Sequence, residues 1–205
     1  PQDPAEVRAR AASVRLVERR GDGIGVLALD GLDRVDVAAP YVESAFELLH
    51  GCSGLVLDLR ANGGGDPGTV ALVLDRLTGP TPIHISDVVC RARTRQWWTA
   101  GGRQALASAT PVVALIGSAT FSSGEALAYH LQSRGRARLV GQATPGAADH
   151  VTPICVSAHV RAVLPEAYVR DAVTRSNWEG VGVQPDLACA EGEALDRALD
   201  VLVRR

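Results

Sequence analysis

The sequence contains no lysine, because all 21 basic residues are arginine. This excludes every mechanism that needs a lysine amine, among them Schiff bases, the lysine of phosphate-binding loops and the Ser/Lys pair of some peptidases. Methionine is also absent, even at position 1, which predicts that the chain has lost its initiator or a longer N-terminus. The frequent use of Ala, Arg and Gly without Lys indicates a GC-rich, bacterial genome.

Other scarce features narrow the class of protein further. The four cysteines form no CxxC pair and have no metal-ligand spacing with histidine, so we expect no metal and no cofactor. The net charge of -2 and the scattered arginines do not fit nucleic-acid binding. The apolar runs end well before about 18 residues, so we expect no membrane span. The first ten residues do not form a signal peptide, and a trimmed signal leaves the compartment open, with the cytoplasm slightly favoured.

The order of apolar runs and turns predicts one domain. The chain has 205 residues, of which 46% are hydrophobic, enough for one buried core. The continuous apolar runs 54–59 and 112–117 are typical of buried strands, and each is followed by a loop and a helix. The prediction is a single α/β domain (1–205) that comprises an N-terminal hairpin (about 13–30), a core of mixed sheet and crossover helices (31–190) and a C-terminal helix (191–205).

Two loops follow the buried strands, at the sheet edge where α/β proteins tend to bind ligands. The first contains Asn62-Gly63-Gly64-Gly65, whose glycines allow positive φ and let backbone N–H groups face a ligand; a tight turn explains the same run. The second contains Ser122 three residues before Glu125, the pattern of a capping box. A serine at a helix N-terminus also suits nucleophilic attack, because free N–H groups there stabilise an oxyanion. The motif alone does not distinguish these two functions.

The sequence resembles the tail-specific (C-terminal processing) serine peptidase superfamily in four segments that follow one another in the family's order: LVLDLRANGGG, TFSSGEALAYHLQ, ARLVGQATPGAA and NWEGVGVQPD. The likeness extends from about residue 24 to about residue 190. The most similar branch contains the tricorn core protease and the repeats of interphotoreceptor retinoid-binding protein. The resemblance implies a Clp/crotonase-like α/β core, and 205 residues leave no room for the PDZ domain of the processing proteases.

The resemblance also implies a nucleophile and an oxyanion hole. The family's nucleophile is the serine three residues before the glutamate, which here is Ser122. Its oxyanion hole uses one backbone N–H after the nucleophile and one from the glycine run. These match Ser123 and Gly64, with Gly63 and Gly65 as the neighbouring candidates.

The proton relay of the family is only partly present. In the tricorn-like branch a glutamate before the GVGVQPD segment completes the relay, which matches Glu179; a turn that packs Trp178 explains the same residue. The Ser/Lys branch has its lysine in the loop after LVG, where this chain has Ala147. The tricorn-like branch has a histidine on the strand after the first hairpin, where the nearest match is Ala28. Neither usual base is present, although a serine nucleophile needs one near neutral pH.

His150 is the substitute base that the sequence suggests. It lies on the loop that carries the lysine in the family, and it can accept the proton of Ser122 if Asp149 or Glu179 orients its ring. An ordinary surface histidine explains the same residue. His130 lies eight residues into the helix that follows Ser122, too far along the helix to reach back.

Two classes of function therefore stay open. The first is a serine hydrolase that acts on a peptide, an ester or another small acyl compound, with His150 or Glu179 as base. The second is a protein that uses the same pocket without peptidase chemistry. It would bind an apolar small molecule, as the retinoid-binding repeats do, or polarise a carbonyl group in small-molecule metabolism. Trp97, Trp98 and Trp178 are candidates for the wall of such a pocket. The sequence does not predict the oligomeric state.

Overall fold

The computed structural model describes residues 3–102, 106–107 and 109–203. Its helices are α1 (Pro4–Ala9), α2 (Val35–Leu48), α3 (Pro67–Thr78), α4 (Ser123–Ser133) and α5 (Ala194–Val203). Its strands are β1 (Val14–Arg19), β2 (Ile24–Leu29), β3 (Gly54–Asp58), β4 (His84–Cys90), β5 (Thr94–Trp98), β6 (Val112–Ile116), β7 (Arg138–Gly141), β8 (His150–Cys155), β9 (Arg161–Asp171) and β10 (Leu187–Ala188).

A six-stranded sheet with the order β1-β2-β3-β6-β7-β10 forms the centre of the fold. β1 and β2 are antiparallel and form the hairpin that the sequence predicts, whereas all other neighbours in this sheet are parallel. Parallel neighbours need crossover connections, which include α2 between β2 and β3 and α4 between β6 and β7. This arrangement confirms the predicted α/β fold class with a mixed sheet and crossover helices.

The central strands β2, β3 and β6 are buried along their whole length because helices cover both faces of the sheet. In β3, Leu55 and Leu57 belong to the larger core, which also contains side chains of α2, α3 and α4. Val56, between them, points to the opposite face and joins the smaller core with residues of α5, such as Ala198. All three β3 side chains are fully buried. Alternation along the strand therefore supplies two cores from one run of residues.

The two loops that the sequence singles out leave the sheet side by side. β3 and β6 are parallel neighbours, and Asp58 at the end of β3 lies opposite Leu115 near the end of β6. The glycine loop begins after Asp58, and the serine loop begins after Ile116. The register of these two strands is thus what brings Gly64 and Ser122 to the same edge of the sheet.

A second, antiparallel sheet has the order β5-β4-β9-β8. Ile85 of β4 and Val169 of β9 are buried in the larger core, which joins this sheet to the first. β8 is an edge strand and begins at His150. Within the described part of the chain the longest helix, α2, has 14 residues. None of the described helices is both long and apolar enough to cross a bilayer.

A buried ion cluster joins the second sheet to α4. Asp171 at the end of β9 accepts hydrogen bonds from His130 Nδ1 at 2.8 Å and from Arg134 Nη1 at 2.9 Å. Arg134 also donates to the carbonyl oxygens of His84 and Ile85 in β4, at 2.8 and 2.9 Å. Burial alone would raise the pKa of Asp171, but the hydrogen bonds from His130, the Thr174 N–H and Arg134 outweigh it and hold that pKa well below its usual range.

We expect Asp171→Asn to lower the free energy of unfolding by about 3 kcal/mol at pH 7, because the change removes a buried anion and leaves its partners in place. Denaturant unfolding measures the loss. Asp36→Asn is the matched control, because Asp36 forms an exposed ion pair with Arg34. It should change the free energy of unfolding by less than about 1 kcal/mol.

The difference between wild type and Asp171→Asn should also depend on pH. A carboxyl whose pKa is lower in the folded than in the unfolded chain stabilises the fold above the unfolded value, and this contribution is lost as the pH falls toward the folded value. The difference should therefore narrow below about pH 4. A difference that stays constant between pH 7 and pH 3 would show that the charge of Asp171 does not stabilise the fold.

Candidate functional site

Ser122 stands at the turn between β6 and α4 with an unusual backbone conformation. Its φ is 51° and its ψ is -118°, in a region that non-glycine residues seldom adopt and that costs of order 1–3 kcal/mol. Ser122 and Glu125 are paired as a capping box, in which the Ser122 N–H donates to Glu125 Oε2 at 2.8 Å. The capping box that the sequence predicts is therefore present. It does not exclude a nucleophile, because Ser122 also lines a pocket.

Glu125 does more than cap the helix. Its side chain is fully buried, and Oε1 accepts hydrogen bonds from Thr144 Oγ1 at 2.6 Å and from the Gly146 N–H at 2.7 Å. Oε2 accepts from the Ala147 N–H at 2.9 Å as well as from Ser122. Four donors from two loops thus surround one carboxylate, as a buried charge requires. This second function of Glu125 depends on contacts about twenty residues away, which the local capping pattern does not reveal.

The glycine loop lies directly against Ser122. A Cβ added at Gly64, whose φ is 93°, would lie 2.8 Å from the Phe121 carbonyl oxygen and 2.9 Å from Ser122 Cβ. A side chain at this position would therefore push the two loops apart. Asn62, which is fully buried, holds the loop from within: its Oδ1 accepts from the Gly64 N–H at 2.9 Å, and its Nδ2 donates to the Leu29 carbonyl at 2.8 Å.

These hydrogen bonds decide which backbone donors of the glycine loop are available. The Gly63 N–H donates to the Asp30 carbonyl at 3.3 Å, and the Gly64 N–H is bound by Asn62. The N–H groups of Gly65 and Ser123 make no hydrogen bond within the described chain, and both residues line the pocket beside Ser122. Ser123 Oγ donates to the Gly65 carbonyl at 2.7 Å and so fixes the two residues relative to each other.

The pocket beside Ser122 has a volume of about 230 Å³. One side is formed by the two loops and the first residues of α3 and α4, and the other by β5, β8, β9 and the segments that precede β8 and follow β9. Its lining residues are Gly65, Pro67, Trp97, Ser122, Ser123, Ala126, Ala147, Ala148, Asp149, His150, Val151, Glu166, Val169 and Trp178. Trp97 and Trp178 are thus in the wall, as the sequence suggests, whereas Trp98 is 47% exposed and stacks on His84 outside it.

His150 lines the same pocket as Ser122. Burial lowers the pKa of its imidazole, and the positive charge of Arg95 lowers it further, while the carboxylates of Glu166 and Asp149 act in the opposite direction. A histidine with a lowered pKa is neutral, and able to accept a proton, at a lower pH than usual. In the described chain no hydrogen bond joins Ser122 Oγ to His150 or to any carboxylate oxygen.

Of the other two carboxylates of the predicted site, Glu179 binds the backbone of the loop before β8, and Asp149 belongs to that loop. Glu179 Oε2 accepts from the N–H groups of Ala148 at 2.7 Å and Asp149 at 2.9 Å, and Glu179 itself does not line the pocket. Asp149 does line it, and its Oδ1 accepts from Asn177 Nδ2 at 3.3 Å and more weakly from the Val169 N–H at 3.4 Å. Burial raises the pKa of Asp149. Glu179 therefore fixes the backbone of Ala148 and Asp149, which line the pocket, without lining the pocket itself.

No group of three or more His, Cys, Asp or Glu side chains within residues 3–102, 106–107 and 109–203 is arranged to hold a metal ion. The residues that line the pocket present a hydroxyl, an imidazole, carboxylates and backbone N–H groups. Glu166 is the pocket carboxylate that the sequence reasoning missed, because no motif distinguishes it from the other residues of β9.

We expect Glu125→Gln to lower the free energy of unfolding by roughly 2–4 kcal/mol, because the new amide replaces an acceptor oxygen with an NH₂ group that faces N–H donors. Thermal or denaturant unfolding measures the change. The matched control is Glu193→Gln. Glu193 is exposed, and its Oε2 lies 3.8 Å from Arg197 Nη2. If Glu125→Gln were as stable as this control, the buried carboxylate would not be what holds the two loops together.

The model of peptidase family S41 matches residues 23–189. This match confirms the resemblance to the tail-specific peptidase superfamily. Among solved structures, the photosystem II D1 C-terminal processing protease is 25% identical, with a TM-score of 0.64 over 85% of this chain and 46% of its own.

Two further structures share the fold. A putative S41 protease from Bacteroides fragilis NCTC 9343 has 18% identity and a TM-score of 0.77, over 94% of this chain and 58% of its own. The tricorn protease has 19% identity and a TM-score of 0.56, over 98% of this chain and 19% of its own. The chain thus spans less than half of the length of the D1 processing protease and about a fifth of that of the tricorn protease.

Proposed function

Because the chain belongs to peptidase family S41, we propose that it is a serine hydrolase that cleaves peptides, with Ser122 as the nucleophile and His150 as the general base. The observation that carries the proposal is that Ser122, Ser123, His150 and Gly65 all border one pocket, and that the N–H groups of Ser123 and Gly65 make no hydrogen bond within the described chain. A serine, a base and two oxyanion donors are the groups that acyl transfer needs.

The N-terminus of α4 supports Ser122 as the nucleophile. The helix dipole and the unbonded Ser123 N–H favour negative charge next to the Ser122 hydroxyl. The Gly65 N–H is the second donor that we propose, in preference to the Gly64 N–H, which Asn62 already binds. Preorganised donors of this kind each contribute roughly 10²–10³-fold to the rate of acyl transfer.

His150 is proposed as the base because it is the titratable nitrogen group that lines the pocket with Ser122. In the reaction, the Ser122 hydroxyl attacks the substrate carbonyl carbon while the imidazole accepts its proton. The imidazolium then gives that proton to the leaving amine as the C–N bond breaks, and the acyl group stays on Ser122. Water, deprotonated by the same imidazole, hydrolyses the ester and restores the enzyme.

The size of the pocket argues against the apolar-ligand alternative. Trp97, Trp178, Ala126 and Val169 give it apolar walls, but about 230 Å³ is less than the roughly 300–1,000 Å³ of pockets that enclose drug-sized ligands. A pocket of this size suits a single amino-acid side chain or a short acyl group. Binding of an apolar small molecule and polarisation of a carbonyl without covalent catalysis stay predictions from the sequence.

A fluorophosphonate probe should label wild-type protein and not the Ser122→Ala variant, because the probe reacts with an activated serine. Fluorescence of the labelled band or intact mass measures the adduct. Ser118→Ala is the matched control, since Ser118 is an exposed serine of the same loop, and it should retain full labelling. An unlabelled wild type, or a labelled Ser122→Ala variant, would refute Ser122 as the nucleophile.

His150→Gln should lower kcat/KM for a set of fluorogenic peptides by at least about 100-fold, because the base is lost while the pocket keeps its shape. Because burial and Arg95 lower the pKa of His150, wild-type kcat/KM should rise with pH and reach half its plateau below about pH 6.5. His159→Gln, at an exposed residue of the turn between β8 and β9, is the control and should match wild type. Wild-type rates in His150→Gln would refute this base.

A further inference from the structure

Four carboxylates lie in or next to the segments that form the pocket. They differ in how many hydrogen bonds they accept. Glu125 accepts four hydrogen bonds, and Glu179 accepts two from the backbone of the loop before β8. Asp149 accepts from Asn177 and from a backbone N–H. The carboxylate of Glu166 makes no hydrogen bond and no ion pair within the described chain, although it lines the pocket. Of these four carboxylates, that of Glu166 is therefore the one that can accept a hydrogen bond from a catalytic side chain without giving up another contact.

An irregularity in the β8–β9 pairing turns Glu166 toward the pocket. His150 lies opposite Ala167, and Val151 lies opposite Pro165, so Glu166 is an extra residue between the two pairs. Such a β-bulge breaks the strict alternation of side chains and redirects one of them. As a result Glu166 and His150, on neighbouring strands of the second sheet, border the same pocket.

The charges that face His150 come from three elements. Arg95 lies on β5, Glu166 on β9 and Asp149 on the loop that precedes β8. Arg95 disfavours an imidazolium, whereas the two carboxylates favour it, Glu166 more strongly than Asp149. Glu166 is thus close enough to act on the charge of His150, and it opposes the effects of burial and of Arg95.

We propose that Glu166 is the positioning residue of His150: its carboxylate accepts the N–H of one ring nitrogen and leaves the other nitrogen to accept the proton of Ser122. This inference rests on the proposed function. A carboxylate in this place fixes the tautomer and the orientation of the imidazole, and it stabilises the imidazolium that forms when the serine attacks. The arrangement would complete a Ser122–His150–Glu166 relay.

This assignment replaces the orienting groups that the sequence suggests. Glu179 is held by the N–H groups of Ala148 and Asp149 and does not line the pocket. The Oδ1 of Asp149 accepts from Asn177, and burial raises the pKa of Asp149, so that its charged form is less favoured than that of an exposed carboxylate. Glu166 is exposed and unbonded, so it can turn to the imidazole without the loss of another contact.

The test compares Glu166→Gln with wild type in peptide hydrolysis and in the titration of His150. We expect kcat to fall roughly 10–100-fold with little change in KM, since the group acts on the base and not on substrate binding. The pKa of the His150 imidazole, followed by NMR and assigned with His150→Gln, should fall further, because a carboxylate that favours the imidazolium is lost. Glu166→Asp should recover part of the rate, and Glu193→Gln, a change at an exposed residue of the short 3-10 helix (Glu191–Glu193) before α5, should match wild type.

The outcomes separate this inference from the proposed function. Wild-type kcat and an unchanged His150 titration in Glu166→Gln, together with an inactive His150→Gln, would overturn the role of Glu166 and leave the base in place. A higher KM with unchanged kcat would also overturn it, because the carboxylate would then bind substrate. Full activity of His150→Gln would overturn the proposed base and the role of Glu166 with it. Glu166 is exposed, so Glu166→Gln and Glu166→Asp should unfold at the wild-type temperature.

Discussion

The arrangement of the site depends on one buried carboxylate, that of Glu125. It accepts hydrogen bonds from the Ser122 N–H, from Thr144 Oγ1 and from the N–H groups of Gly146 and Ala147. A buried charge is tolerated only when donors surround it, and here the donors come from two loops that are about twenty residues apart. The same contacts therefore stabilise the charge, hold Ser122 in its strained conformation and fix the opposite wall of the pocket.

The backbone of Ala147 shows why the lysine-free pocket keeps its shape. This is the position at which the resemblance places a lysine, but the contact with Glu125 is made by the N–H group, which any residue other than proline provides. The next two N–H groups, those of Ala148 and Asp149, bind Glu179. The loop is thus held by its backbone, and it leads into β8 at His150 whatever side chain occupies position 147.

Local patterns predicted the parts of the site that local structure determines. The apolar runs predicted the buried strands, and the S-x-x-E pattern predicted both the capping box and the position of Ser122. Two features escaped the sequence because they depend on distant pairings. Asn62 Nδ2 reaches the Leu29 carbonyl only because β2 and β3 lie side by side, and Glu166 faces the pocket only because β8 and β9 pair with a shift in register. Neither contact has a signature in the neighbouring residues.

The absence of lysine limits which side chains can accept the proton of Ser122, and the structure narrows that choice further. An arginine cannot replace it, because the guanidinium keeps its proton at any pH that the fold tolerates. Of the histidines, His130 is fully buried with its Nδ1 bound to Asp171, and His84 stacks on Trp98. The remaining two besides His150 are exposed and do not line the pocket. The base that we propose for Ser122 is thus the histidine of the second sheet, which makes the register of β8 against β9 part of the catalytic machinery that we propose.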